Sequence, residues 1–298
     1  MTESGQISTL TITILIDNRA GPKGTVGEKG FSALVELSCP DGGHREILFD
    51  TGATGTSLLN NLKVLNKDLQ GLDCIVFSHG HWDHVWGIPK LVPLDNPEAY
   101  LFCHPGALDK KWCLDENGEV EIKSVHEVIS PEELEELIPI KTGPEPFELF
   151  PGVFSTGEIP RQNPYETISE RLSRIKVEGA SGSEVDLIPE DLSLIFKMDD
   201  ESIVILTGCC HAGAVNTINH ARQITPFKKI AGLIGGLHLL DASQPRLDFT
   251  VEELGKLTIQ EIGACHCTGP RGIHALKNAF PDQFRDVEVG VEFKYGFF

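Results

Sequence analysis

No two of the eight cysteines form a C-x-x-C pair, and the adjacent Cys209 and Cys210 are badly placed to bridge each other. A reduced, cytoplasmic setting is the simplest reading. Long apolar runs are also missing. The opening MTESGQISTLTITILIDNRA lacks the charged start, apolar stretch and small-residue cleavage site of a secretion signal. Its TLTITILI is too short to cross a bilayer and alternates like a strand. Positive charge is scarce: 25 Lys and Arg against 44 Asp and Glu give a formal net charge of −19. Such a surface repels phosphate backbones and anionic lipid. Nucleic acid and membrane are therefore not expected as partners, although a local basic patch would escape that argument. No linker rich in Ser, Gly or Pro divides the chain and no repeat is visible, so residues 1–298 are read as one domain able to bury a substantial core.

Strand-like runs come early, at 9–16, 32–38 and 45–50, separated by Gly-rich turns. Apolar spacing predicts a helix over 57–69 and a short buried strand over 72–78. A strand at 99–103 and a helix at 130–138 follow, the latter with Ser130 as cap and Pro131 in its first turn. Residues 160–191 are polar and turn-rich, and are read as an insertion or lid. DLSLIFKM and SIVILTG then form a hairpin, followed by a helix at AVNTINHARQI and a strand at KIAGLIGGLHLL. TVEELGKLTIQEI reads as a helix, GACHCTG as a strand end and GIHALKNAF as a last helix. This order suggests an α/β (α+β) architecture of two packed sheets with helices on both outer faces. The apolar tail FKYGFF packs either on its own core or on a neighbour, so self-association stays open.

Chemistry concentrates at the end of the strand at 72–78. In FSHGHWDHVWGI, His79 and His81 lie two apart on extended chain and can share one cation. Asp83 and His84 follow a turn and can face a second. Imidazole and carboxylate suit zinc, iron(II) or manganese. His79-Gly80-His81-Trp82-Asp83-His84 resembles the signature of the metallo-β-lactamase superfamily, and Asp50 in ILFDTG matches its upstream strand-end aspartate, which supports the metal loop. The resemblance implies a four-layer αββα sandwich over nearly the whole chain, with metals at one edge between the sheets.

The second half departs from that pattern. The third histidine of the superfamily has no clear match; FSTGEIPR stands in its place and offers Glu158 and Arg161, the first as ligand, base or solvated turn residue, the second for an anionic substrate group. In SIVILTGCCHAG, Cys209 occupies the position of the bridging aspartate, and His211 two residues on is a ligand candidate. His266 in ACHCTG fits the last metal ligand. Cys265 and Cys267, which would point away from it on an extended chain, are read as packing residues. His238, following Gly235-Gly236, is expected to touch substrate or act as acid or base. His44, His126, His220 and His274 are assigned nothing.

LIDNRA, FSHGHWDH, STGEIPR, TGCCHAG, GGLHL and HCTG together are similar to the subgroup named for 7,8-dihydropterin-6-methyl-4-(β-D-ribofuranosyl)aminobenzene-5′-phosphate synthase, a dihydropteroate-synthase-like branch. Asn18 and Asn216 are then candidates to line its pocket. The resemblance implies two divalent ions, zinc first, with manganese, iron and magnesium as alternatives. It also implies a small-molecule substrate, anionic or pterin-like. Three readings follow. The first is a hydrolase whose metal-activated hydroxide attacks an ester, lactone or phosphodiester, with Asp83 and His238 as catalytic residues. The second is a transferase joining a dihydropterin-methyl diphosphate to an arylamine. The third is a non-catalytic metal or small-molecule sensor.

Overall fold

The computed structural model describes residues 5–21, 24–39, 42–179 and 182–296. Two sheets stack face to face. The first runs, edge to edge, through Glu292–Gly296, Thr9–Ile16, Ser32–Ser38, His44–Phe49, Cys74–Val76, Tyr100–Cys103 and Ile140–Thr142. The second runs through Ile259–Cys265, Lys229–Gly236, Ser202–Thr207, Ser193–Lys197, Val153–Ser155 and Phe147–Phe150. Each sheet joins an antiparallel block to a parallel one.

Alternation in the strands builds the layers. Val35, Phe49, Phe196, Val204 and Leu206 point into the inter-sheet core. Their chain neighbours Leu34 and Leu48 instead meet Leu58, Leu62 and Leu134 of helices Thr56–Leu65 and Pro131–Leu137. On the far side, Ile195, Ile203 and Ile205 meet Ile218, Leu247 and Leu276 of helices Ala214–Ile224, Gln244–Gly255 and Gly269–Ala279. The result is the αββα sandwich, with buried apolar layers between all four.

Several boundaries differ from expectation for identifiable reasons. The first helix stops at Leu65 because Asn66 turns left-handed (φ 54) and its N–H returns to the carbonyls of Leu62 and Lys63. The helix expected over 250–262 begins earlier, where the Ser243 side chain accepts the Arg246 N–H, and ends at Gly255. Its expected second half is the strand Ile259–Cys265, where β-branched Ile259 and Ile262 suit a pleated surface. Strand Lys229–Gly236 ends before LHLL, because the Leu237 and His238 amides leave the sheet for Thr268 Oγ1 and Cys267 Sγ. The tail packs on its own core: Glu292–Gly296 pairs with Thr9–Ile16 and buries Phe293. Phe297 and Phe298 lie outside the described residues.

The polar stretch 160–191 is pinned at several points. Glu166 accepts the N–H groups of Val215 and Asn216 at the start of helix Ala214–Ile224. Tyr165 stacks on Phe249 with ring centroids 4.5 Å apart, and Arg246 donates to the Thr167 carbonyl. Further along, Lys176–Gly179 and Gly182–Val185 form a hairpin. It joins Lys111–Leu114 and Val120–Ile122 in a third, four-stranded antiparallel sheet that the sequence reading did not foresee. Among the described residues, no helix is long and apolar enough to cross a membrane.

Candidate metal centre

The ligand candidates converge at strand ends of both main sheets. His79 Nε2 lies 3.0 Å from His81 Nδ1 and 3.1 Å from His211 Nε2. These three atoms form one triad, in which all three residues are buried. Asp83, His84 and His266 form a second, with His84 Nε2 3.2 Å from His266 Nε2. Cys209 Sγ sits 3.2 Å from His84 Nε2 and groups with His79 and His84, between the two triads. His211 thus stands with His79 and His81 where the missing third histidine was sought, so FSTGEIPR need not supply it.

Buried neighbours fix which nitrogen faces the centre. Asp50, fully buried and in a left-handed conformation (φ 60), accepts the Ser78 N–H and hydroxyl and the His84 Nδ1–H at 2.7, 2.7 and 2.6 Å. The Ser78 hydroxyl hydrogen is thereby used, so its oxygen accepts His79 Nδ1–H at 2.9 Å and leaves His79 Nε2 a bare lone pair. Gly208 makes room for this contact, since a Cβ there would lie 2.1 Å from Ser78 Oγ. His266 Nδ1 meets Asn18 Oδ1 at 2.9 Å, and its backbone N–H donates to Asp17. His81 is held less directly: Asp186 Oδ2 is 3.9 Å from Nε2 and is itself bonded to Lys111, which also meets Glu190 at 2.8 Å.

Electrostatics favour bound cations. Burial, then neighbouring imidazoles, pushes His79 and His211 far below the ordinary histidine value. Burial brings His81 down to about 3 against the pull of Asp186. These rings are therefore neutral, the form that ligates a metal. Burial alone would raise Asp83, but His84, His266 and Lys29 outweigh it and hold the carboxyl at about 2. Burial also opposes protonation of His84, and the Asp50 carboxylate overrides it upward. Three neutral rings with nitrogens about 3 Å apart cannot satisfy one another by N–H donation alone. A cation between their lone pairs resolves this, so the residues present fit a divalent metal.

The centre floors a cleft of about 330 Å³, walled by Asn18, Trp82, His238, Leu240 and residues of the small sheet. Although the protein is strongly acidic, Lys29, Lys123, Arg171 and Arg174 line this cleft. Lys29 lies 4.6 Å from the Trp82 ring centre and 3.8 Å from Asp83. Among the described residues, neither the Arg171 nor the Arg174 guanidinium has a hydrogen bond or ion pair.

Not every expected residue reaches the cleft. Glu158 is exposed away from it. Arg161 spends its guanidinium on the carbonyls of Leu187 and His211, where it braces the chain behind His211. Asn216 binds Gln162, Asn163 and the Ala212 carbonyl at a helix start and does not line the pocket. Cys265 packs between the sheets, but Cys267 lines the cleft. Sequence reasoning missed Ser78, Cys267, Lys111, Asp186 and the four basic wall residues. Of these only Ser78, directly before His79, carried a positional hint.

Residues 45–174 match the family model described as beta-lactamase superfamily domain. The crystal structure of Tm1679, a metal-dependent hydrolase of the β-lactamase superfamily, superposes with a TM-score of 0.80 at 24% identity, covering 97% of this chain and 100% of that one. The fold is the metallo-β-lactamase fold. In sequence, the chain is similar to 7,8-dihydropterin-6-methyl-4-(β-D-ribofuranosyl)-aminobenzene-5′-phosphate synthase of Methanocaldococcus jannaschii, 27% identical over 98% of each chain. An uncharacterized protein of the same organism is 29% identical over 89% of this chain and 93% of its own. The subgroup resemblance read from the motifs thus extends from end to end.

Proposed function

We propose that this protein is a metal-dependent hydrolase of an anionic small molecule, with a phosphodiester as the leading substrate class and esters or lactones behind it. One observation carries the reading: two buried three-ligand sets, meeting at His84 and Cys209, floor a cleft walled by cations. His79, His81 and His211 would hold one divalent ion, zinc first, and Asp83, His84 and His266 the other, with the Cys209 sulfur lying beside His84. Ions held there would supply Lewis acidity and ionise water near neutral pH. The chain's own contribution is orientation and charge. Asp50, Ser78 and Asn18 fix the ligating nitrogens, and ionised Asp83 offers an oxygen for ligation and proton acceptance. Arg171 and Arg174 face the cleft with unspent donors for a phosphate.

The test is substitution of ligands from each set. His81→Ala and His84→Ala should each lose bound metal by elemental analysis and reduce turnover of bis(p-nitrophenyl) phosphate to background. Retained turnover in both would overturn the proposal. The end-to-end similarity to a synthase supports a second reading, transfer of a dihydropterin-methyl group from its diphosphate to an arylamine. Half-buried Trp82 offers a flat face for such a ring. Diphosphate released only when arylamine is present would favour transfer; release in water alone favours hydrolysis. The sensor reading drew its weight from the missing third histidine, and the position of His211 removes that reason.

A further inference from the structure

The donor residues form four overlapping triads among the described residues, and Cys209, which groups with His79 and His84, also belongs to a set on the other side. Beyond the two described, Cys209 Sγ, a His238 nitrogen and Cys267 Sγ lie within 4.8 Å of one another. Cys209 and Cys267 are 4% and 8% exposed. His238 Nε2 lies 3.8 Å from the Asp241 carboxylate, and its Nδ1 is buried without a hydrogen-bond partner among the described residues. Asp241 is thus within charge-pairing distance of Nε2 though beyond hydrogen-bond reach, and Nδ1 keeps its capacity for a ligand. The backbone is also bent to form this group. His238 is left-handed (φ 44), as is His266 (φ 48), which swings Cys267 round into the cleft. Gly236 is the residue that lets the thiols approach: a Cβ there would lie 2.6 Å from Cys267 Sγ and 3.3 Å from Cys209 Cα. The Cys267 sulfur already accepts the His238 N–H at 3.3 Å, a bond that persists when the sulfur is a thiolate.

We infer that Cys209, His238 and Cys267 form a third metal site, which takes a thiophilic d¹⁰ divalent ion such as zinc or cadmium. Two sulfurs and one nitrogen make it softer than its neighbours, which offer three nitrogens and two nitrogens with one carboxylate. Ligation releases the Cys209 and Cys267 thiol protons to solvent, and Cys267 gives up its present S–H donation to the Cys209 carbonyl. The assignment replaces the proton-transfer role expected of His238. It leans on the two-ion reading only for the count left in the variants.

Metal stoichiometry tests it. The full-length protein saturated with zinc should hold three ions per chain by elemental analysis, and Cys267→Ser and His238→Ala should each hold two. Titrated with cadmium, the thiolate-to-metal absorbance of Cys267→Ser should fall by about half, one of two thiolates being lost. Two ions in the unaltered protein, or three in both variants, would overturn the site. If Cys267→Ser fails to fold, iodoacetamide labelling of the unaltered chain decides. Protection of Cys267 that arrives with the third equivalent supports the site, and equal labelling at two and three equivalents sinks it. Turnover does not enter the count. An inactive chain with three ions refutes the hydrolase reading alone, and an active one with two refutes only this inference.

Discussion

In the Asp83–His84–His266 triad, each imidazole has its outer nitrogen on a fixed oxygen, Asp50 for His84 and Asn18 for His266. In the His79–His81–His211 triad only His79 is so held, by Ser78. His81 has its carboxylate 3.9 Å away, and His211 Nδ1 is buried without a partner among the described residues. The first triad carries a formal charge and a prepared geometry; the second is three neutral rings steadied by packing. The contrast teaches that two sets sharing one loop, each completed by a histidine from the second sheet, need not be equivalent. The charged, oriented set should fill first, and the neutral set should depend more on conditions.

The comparison breaks most sharply at Asp50. Asp50→Asn keeps the volume but turns an amide toward His84 Nδ1–H or toward Ser78. Affinity at the charged triad should fall by about 10- to 100-fold, as when carboxylates behind ligating histidines are removed elsewhere. Calorimetric zinc titration reads this, and two unchanged binding steps would count against the assigned orientation. Asn18→Ala is milder: besides the Gly30 N–H it frees His266 and no other candidate ligand, and should weaken the same step by about tenfold while sparing the other. A loss confined to the neutral triad would reverse the assignment.

The smallest effect concerns pH. Burial holds His79, His81 and His211 below the ordinary 6.5, His81 at about 3. The unfolded chain therefore takes up protons on these rings at higher pH than the folded chain does. Their contribution to stability is whole above about 6.5 and is lost as pH falls toward 3. His84, raised by Asp50, works in the opposite sense. The Tm of metal-stripped protein should drop by roughly 5 °C between about pH 7 and about pH 5. A flat profile would mean these rings are not held neutral by burial.

Legibility in the sequence followed contiguity. His79 to His84 were readable because six consecutive residues carry four candidate ligands, and the main strands because their alternation is strong. Cys267 was misread because the argument that it points away from His266 assumed extended chain. His266 turns left-handed and begins a single 3₁₀ turn instead, which reverses the next side chain. Arg161 was placed in the pocket on its charge and Asn216 on the subgroup resemblance, yet both are taken up by nearer groups, Arg161 by the Leu187 and His211 carbonyls and Asn216 by Gln162, Asn163 and the Ala212 carbonyl. The small sheet was invisible because its strands are short and largely exposed: Lys111–Leu114 has no alternation, and that of Val120–Ile122 lasts only three residues.

That small sheet has a consequence for how such a protein diversifies. Its strands contribute part of the cleft wall but none of the ligands, so its surface side chains are free to drift and remould what is admitted while the metal floor stays constant. The exception is Lys111, buried between Asp186 and Glu190, with Glu190 accepting the Gly80 N–H beneath the metal loop. Selectivity and metal chemistry then become separable parts, fastened together at the Lys111 ammonium group and at the bonds from Trp82 N–H and Trp86 Nε1–H to the Lys123 and Ser124 carbonyls.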